Sequence, residues 1–396
     1  MTQLNTALRP KREKMTNTML LMTISIIIFI GLYIYAVLNI QGFEKAKMFV
    51  DLINENAPTI IIACSLTIVM IGGGIDISVG GVIMLTVMSC ARFLNESTIA
   101  DPTLRVIVTL LLALGIGLCF GLMQGFLVSY LEIQPFIVTL AGMVLAKGVA
   151  SMLFEDWKVL QKALKVRNIT NPKVAHEGFK ALQNTKIEIP WLGYISPNNG
   201  KLIPAKIEMG AVIAIVVVIC VFLMLRYVKK GRHIYAVGGN QQSAMMLGVN
   251  VKATRFFSYI MSGTLAGLAG FVYLIHDASA NITSVGVRYE MDAIASSIIG
   301  GTLLTGGVGN VIGSFFGTMI LVTLKKVIKL DPNIKVSYIQ EMASGAMLGL
   351  FIILQSIILS IRGKGKIQLP SWLKFGSKKG GGDSLPPPEK DNTVKA

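Results

Sequence analysis

Apolar runs recur along most of this chain and are separated by short polar segments. A run of about 20 apolar residues spans the ~30 Å hydrocarbon core of a bilayer as a helix. The pattern predicts spans near 17–38, 57–71, 79–91, 106–131, 135–154, 209–227, 256–275 and 342–361, with two further arms between Ala293 and Leu324. The period-two alternation of a membrane β-barrel is absent. The expected fold is therefore all-α, a polytopic membrane protein with about 10 transmembrane segments, including two Gly-broken helix pairs. Residues 1–16 read as a polar tail and 17–361 as the membrane domain. Residues 362–396 are rich in Lys, Gly and Pro, a composition of disorder. Residues 155–206 are polar, contain four prolines and read as an insert with little regular structure.

The two broken stretches dominate the pattern. The first is GGGIDISVGG, Gly72 to Gly81, inside a run from Ala57 to Ala91 whose one charge is Asp76. Successive glycines cost a helix about 1 kcal/mol each, so two short helices should meet there at a turn. A carboxylate at membrane depth costs a few kcal/mol and marks a functional site by default. Broken helices can offer their free ends to a solute. The other reading is structural: Asp76 accepts from Ser78 or a nearby backbone N–H. The second stretch, IGGTLLTGGVGN, Ile299 to Asn310, follows Glu290 and Asp292. The candidate pathway residues are Gly73, Gly74, Asp76, Ser78, Gly80, Gln124, Asp292, Gly300, Gly301, Thr302, Gly306 and Gly307.

Charge sets the orientation. Charged residues are only 15% of the chain against 53% apolar, yet the net charge is +16. The excess sits mostly in terminal and inter-helix segments, which favours anionic lipid over nucleic acid. The N-terminal tail, 229–255 and the C-terminal tail are strongly basic, whereas 41–56, 92–105 and 276–292 are balanced or acidic. If each broken element crosses twice, or not at all, all three basic segments fall on one side, so both termini are expected in the cytoplasm. Lys325, Lys326 and Lys329 fall on the wrong side under this scheme. Cys64, Cys90, Cys119 and Cys220 lie in apolar runs without CxxC spacing and read as buried packing residues. Gly117, Gly121 and Gly125, and separately Gly263, Gly267 and Gly270, form small-residue faces for close helix approach. Lys147 is expected to snorkel, Gln124 to bond another helix, and His176, His233 and His276 to be solvated. No nucleophile triad, metal-ligand set or P-loop is present.

Four motifs in order, IGGGIDISVGGVI (Ile71–Ile83), PFIVTLAGM (Pro135–Met143), GRHIYAVGGNQQSAMMLGVNV (Gly231–Val251) and YEMDAIASSIIGGTLLTGGVGNVIGSFFG (Tyr289–Gly317), resemble the permease subunits of bacterial ABC sugar importers of the ribose, xylose and galactofuranose type. The 155–206 insert is longer than in that pattern, and Lys147 stands where an arginine is usual. The resemblance implies a multi-pass plasma-membrane permease subunit, not an enzyme, with no cofactor and no metal. Its partners would be ABC ATPase subunits, a second permease subunit (the same or a close relative) and an extracytoplasmic sugar-binding protein. Residues 229–253 match the cytoplasmic segment that docks on the ATPase, with Arg232, Gly238, Gly239, Asn240, Met245, Met246 and Gly248 as its coupling residues. The residues fit independently: Asn240 can N-cap a helix over Gln241–Leu247 that Gly248 stops. An ordinary interfacial helix fits too. Two alternatives stand beside the sugar importer: an ABC permease for nucleosides or amino acids, and an ion-coupled transporter using Asp76 or Asp292.

Overall fold

A computed structural model describes residues 10–40, 43, 45–163, 177–195, 202–280, 285–286, 288–330 and 338–362. Most of the N-terminal tail and the C-terminal tail beyond Arg362 lie outside these residues. The helices are α1 (Pro10–Asn39), α2 (Lys45–Glu55), α3 (Ala57–Ile71), α4 (Val79–Glu96), α5 (Pro102–Ser129), α6 (Pro135–Ala163), α7 (Glu177–Asn184), α8 (Met209–Tyr227), α9 (Lys229–Gly239), α10 (Gln241–Met246), α11 (Val251–Asp277), α12 (Tyr289–Ile299), α13 (Val311–Leu330) and α14 (Tyr338–Arg362). Strands β1 (Lys186–Ile195) and β2 (Leu202–Glu208) precede α8 and form an antiparallel hairpin. One compact unit runs to Ile353; Leu354–Arg362, the end of α14, is the described part of a second.

Helix α3 is the centre. All 15 of its residues are buried, as an element apolar on every side requires. It packs on α8, α11, α12 and α13. Helix α11 lies on α3 with one face and on α5 with another, where both glycine stripes meet. A Cβ on Gly117 would sit 2.2 Å from the Gly263 carbonyl oxygen, and one on Gly267 2.2 Å from that of Ala113. No side chain fits between these backbones, which is why both faces carry glycine.

Among the described residues, eight helices are long and apolar enough to cross a membrane, or nine counting α2 and α3, bent by 65° at Asn56, as one span. The expected ten counted α3 and α12 separately, and each is too short to qualify alone. The polar segment 41–56 is not a plain loop, because α2 buries Leu52 and Ile53. The insert also differs from expectation. Helix α6 continues to Ala163, and α7 and the hairpin follow. Asn54 clamps the hairpin: its Nδ2 donates to the Lys206 carbonyl at 2.7 Å and its Oδ1 accepts from the Glu208 N–H at 3.0 Å. Phe179 is fully buried beside Phe271. Hydrophobic anchoring at positions far apart in sequence is what orders this polar stretch.

Several charged groups expected in solvent are paired. His276 Nδ1 lies 2.7 Å from Glu208 Oε2, and Lys186 reaches Glu208 Oε1 at 2.9 Å. The His276 hydrogen bond foremost, with Lys186 adding to it, holds the Glu208 carboxyl down at about 2 against the cost of its burial. Lys147 does more than snorkel; its ammonium is 3.5 Å from the buried Glu290. Lys325 pairs with Asp292 at 2.6 Å and Lys326 with Glu55 at 2.7 Å. Those two lysines, which broke the charge rule, are neutralised by acids at the same end of the bundle. Cys119 and Cys220 are exposed rather than buried, because they lie on outward faces of α5 and α8.

Candidate functional site

Both broken helices end in the same way. At the end of α3, Gly73 N–H donates to Met70 at 2.9 Å and Gly74 N–H to Val69 at 3.0 Å, with Gly73 at φ +79°. At the end of α12, Gly301 N–H donates to Ile298 and Thr302 N–H to Ser297, both at 2.9 Å, with Gly301 at φ +92°. Each is a Schellman stop, whose left-handed residue is best supplied by glycine. The two ends thus share one stop geometry.

The two stops touch. Gly307 N–H donates at 2.8 Å to the Ile71 carbonyl, one of those left unpaired at the end of α3. A Cβ on Gly306 would lie 2.8 Å from Gly73 Cα. The last turn of α9 wedges into this contact. A Cβ on Gly238 would fall 1.7 Å from the Ile71 oxygen and 2.7 Å from Gly307 N, and one on Gly307 2.4 Å from Gly239 Cα. Tyr235 on α9 donates its hydroxyl to the Gly309 carbonyl at 2.8 Å. Five glycines, 73, 238, 239, 306 and 307, therefore form a backbone-to-backbone junction of three elements.

From this junction α9 leads to α10, whose N-cap is Asn240; its side chain accepts from Ser243 N–H at 2.9 Å. Gly248, at φ +78°, follows the helix. Met245, Met246 and Leu247 are 59%, 89% and 82% exposed, an apolar face without cover in the single chain. Arg232 is exposed and donates to the Tyr227 carbonyl. Beneath the α3 stop lies a cavity of about 370 Å³, lined among others by Gly72, Gly73, Gly74, Gln241, Arg255 and Tyr259. Glu132 in the α5–α6 turn closes one side through a 2.8 Å pair with Lys252.

Asp76 sits in a different environment. It is 1% exposed. Its Oδ1 accepts from Ser78 N–H and Oγ at 2.9 and 2.6 Å, and its Oδ2 accepts from Ser262 Oγ at 2.5 Å. Ser78 Oγ also reaches Gln124 Oε1 at 3.0 Å, and Ser262 Oγ is 2.8 Å from Ser65 Oγ. A second polar seam ties Thr67 Oγ1 to Ser314 Oγ at 2.6 Å and to Ser297 Oγ at 3.1 Å. These bonds join α3 to α11, α12 and α13, and they give the buried carboxylate the partners it requires. Gly80 packs against the Glu290 carboxylate and Gly286, and Gly300 against Gly313. Buried Thr302 lies beside Gly309. Asp292 is not brought to the junction; it pairs with Lys325.

Sequence reasoning missed Tyr235, Ser65, Ser262 and Thr67. Hydroxyls in apolar spans read as small packing residues until a partner on another helix is placed beside them.

A many-helix membrane protein with two glycine-broken helices packed end to end has the architecture of the membrane transporters. More specifically, the chain belongs to the family of branched-chain amino acid transport system permease components, which matches residues 48–356. It is similar to the fructose import permease protein FruG of Bifidobacterium longum, 32% identical over 90% of this chain and 97% of that protein. It is also similar to the inner membrane ABC transporter permease protein YjfF of Escherichia coli, 35% identical over 84% and 90%. The ribose import permease protein RbsC of Escherichia coli is 30% identical over 68% and 74%. No solved structure matches the chain. The chain is thus a multi-pass permease component of an ABC import system of the bacterial inner membrane.

Proposed function

We propose that this chain is the membrane-spanning subunit of an ATP-driven, binding-protein-dependent importer for a monosaccharide, and that α9–α10 carries the motion of an ATPase subunit to the two broken helices. The observation that carries the coupling role is Gly238, wedged between the Ile71 carbonyl and the Gly307 amide. Any displacement of α9 must reach both stops, because no side chain cushions the contact. The exposed face of Met245, Met246 and Leu247 is the docking surface for the ATPase groove. The sugar class rests on the relatives' names and on the motifs of the resemblance. The remaining partners are a second permease copy or close relative, a sugar-binding protein and membrane lipid, with no nucleic acid.

The junction end is the cytoplasmic one, and the charge rule assigns both termini, residues 1–16 and 362–396, to the cytoplasm. The 155–206 insert is extracytoplasmic, and 17–361 is the membrane domain. Support comes from the basic excess of residues 229–255, which lead out of and back to the junction end. Vesicle uptake tests the function: radiolabelled sugar should enter only with ATP, the ATPase subunit and the binding protein. Uptake driven by an ion gradient alone would refute it. Cysteines at Gln241 and Glu188 test the orientation, the first reacting with an impermeant reagent only from the cytoplasm and the second only from outside.

A further inference from the structure

At the end of the bundle opposite the glycine junction lies a second cavity, of about 450 Å³. Four helix ends converge on it. Glu55 precedes α3, Tyr273, His276 and Asp277 close α11, Tyr289 opens α12, and Lys329 lies in the last turn of α13. Its size falls within the roughly 300–1,000 Å³ of small-molecule sites.

The chemistry of the lining is selective. Glu55 is neutralised by Lys326, with Nζ–oxygen distances of 2.7 and 2.9 Å, and His276 is engaged by Glu208 at 2.7 Å. Asp277 and Lys329 add one charge of each sign. The cavity thus carries carboxylate acceptors and an ammonium donor without a net charge that would call for an ionic solute. Tyr273 and Tyr289 stand edge to face, with centroids 6.4 Å apart, and form an aromatic wall with hydroxyl tips. A neutral ring bearing several hydroxyls satisfies all of this. Its hydroxyls can donate to the carboxylates and accept from the ammonium, while its C–H face lies against a tyrosine ring. A net anion or cation would leave one of its charges without a counterpart.

We propose that this cavity is a monosaccharide-binding site on the outer face of the permease, occupied before the solute moves inward. The proposal rests on the sugar-import reading and on the orientation given above. It adds residues that the broken-helix motifs do not contain: Asp277, Tyr273, Tyr289 and Lys329. Helices α3 and α11 line both this cavity and the one beneath the α3 stop. Between the cavities the two helices are joined by Ser65 and Ser262. Solute at one end and the coupling segment at the other therefore act on the same helix pair.

The test is carboxylate footprinting of the intact importer in vesicles, using a water-soluble carbodiimide with an amine and peptide mass spectrometry. D-ribose, D-fructose, D-galactose and L-leucine are the probes, and uptake of each is measured on the same preparation. Asp277 and Glu55 are exposed, and Asp101, exposed just before α5, is the internal control. A transported sugar at saturation should slow modification of Asp277 and Glu55 roughly tenfold and leave Asp101 unchanged. Tyr289→Phe, which keeps the ring, should raise the concentration needed for half-protection by about threefold or more. Unchanged modification of Asp277 while that sugar is taken up would overturn the site and leave the sugar-import reading standing. Protection by leucine and by no sugar would overturn the assigned ligand class. Absence of uptake of any sugar, with ATPase and binding protein present, would overturn the functional reading and this site with it.

Discussion

Replacing Gly238 by alanine adds one methyl group where the structure has no room for it. The new Cβ would lie 1.7 Å from the Ile71 carbonyl oxygen and 2.7 Å from the Gly307 nitrogen. Both obstacles are backbone, so no rotamer change relieves the contact, and the hydrogen bond from Gly307 to Ile71 must lengthen or break. Overpacking of this kind costs about 1–3 kcal/mol. Losing the hydrogen bond adds about 0.5–1.5 kcal/mol. Alanine returns about 1 kcal/mol through its better helix propensity in α9. The balance is about 0.5–3.5 kcal/mol against the packed junction, roughly 2- to 300-fold in its population. Expected is a permease that inserts and binds its ATPase subunit, but whose sugar-stimulated ATP hydrolysis and uptake fall by a factor in that range. The assay is uptake and phosphate release in vesicles, with Gly115→Ala as control, since a Cβ there meets nothing within 4 Å. Wild-type uptake and stimulation in Gly238→Ala would refute the view that α9 drives the broken helices through this contact.

Three further outcomes follow from the same geometry. Met245→Glu puts a charge into a face that should bury two or three apolar side chains at roughly 1.5–3 kcal/mol each, so the ATPase subunit should no longer co-purify; intact co-purification and uptake would move the docking surface elsewhere. Asp76→Ala strands the buried Ser78 amide, while the Ser78 and Ser262 hydroxyls keep Gln124 Oε1 and Ser65 Oγ as partners; at about 1–3 kcal/mol for the stranded donor it should lower both thermal stability and transport, and normal uptake at normal expression would contradict that role. Glu208 is depressed from 4.5 to about 2 in the folded chain, so its contribution is complete above about pH 4.5 and is lost as pH falls toward 2. Proteolysis of the 186–208 hairpin should accelerate over that acidic range and again as pH rises through the His276 pKa, which the Glu208 hydrogen bond raises, and Glu208→Gln should abolish both dependences.

The sequence by itself determined the class. Apolar runs, the two glycine-broken stretches and the basic segment 229–255 are local signals, because membrane insertion and helix termination depend on neighbours along the chain. The breaks in the two Gly-rich stretches, the glycine faces of α5 and α11, and the Asn240 cap were legible for that reason. What only the tertiary structure decided was which of these local features meet. The contact of Ile71, Gly238 and Gly307 joins residues from three distant segments that contribute backbone and no side chain, so composition carries no trace of the pairing. Asp76 and Asp292 look alike in sequence, yet one is enclosed by Ser78 and Ser262 and the other pairs with Lys325. The 155–206 insert looked unstructured because its order depends on Phe179 and Asn54 finding partners on α11 and β2. A carboxylate or a hydroxyl in an apolar run takes its role from its partners, and those are supplied by helix packing across long sequence separations.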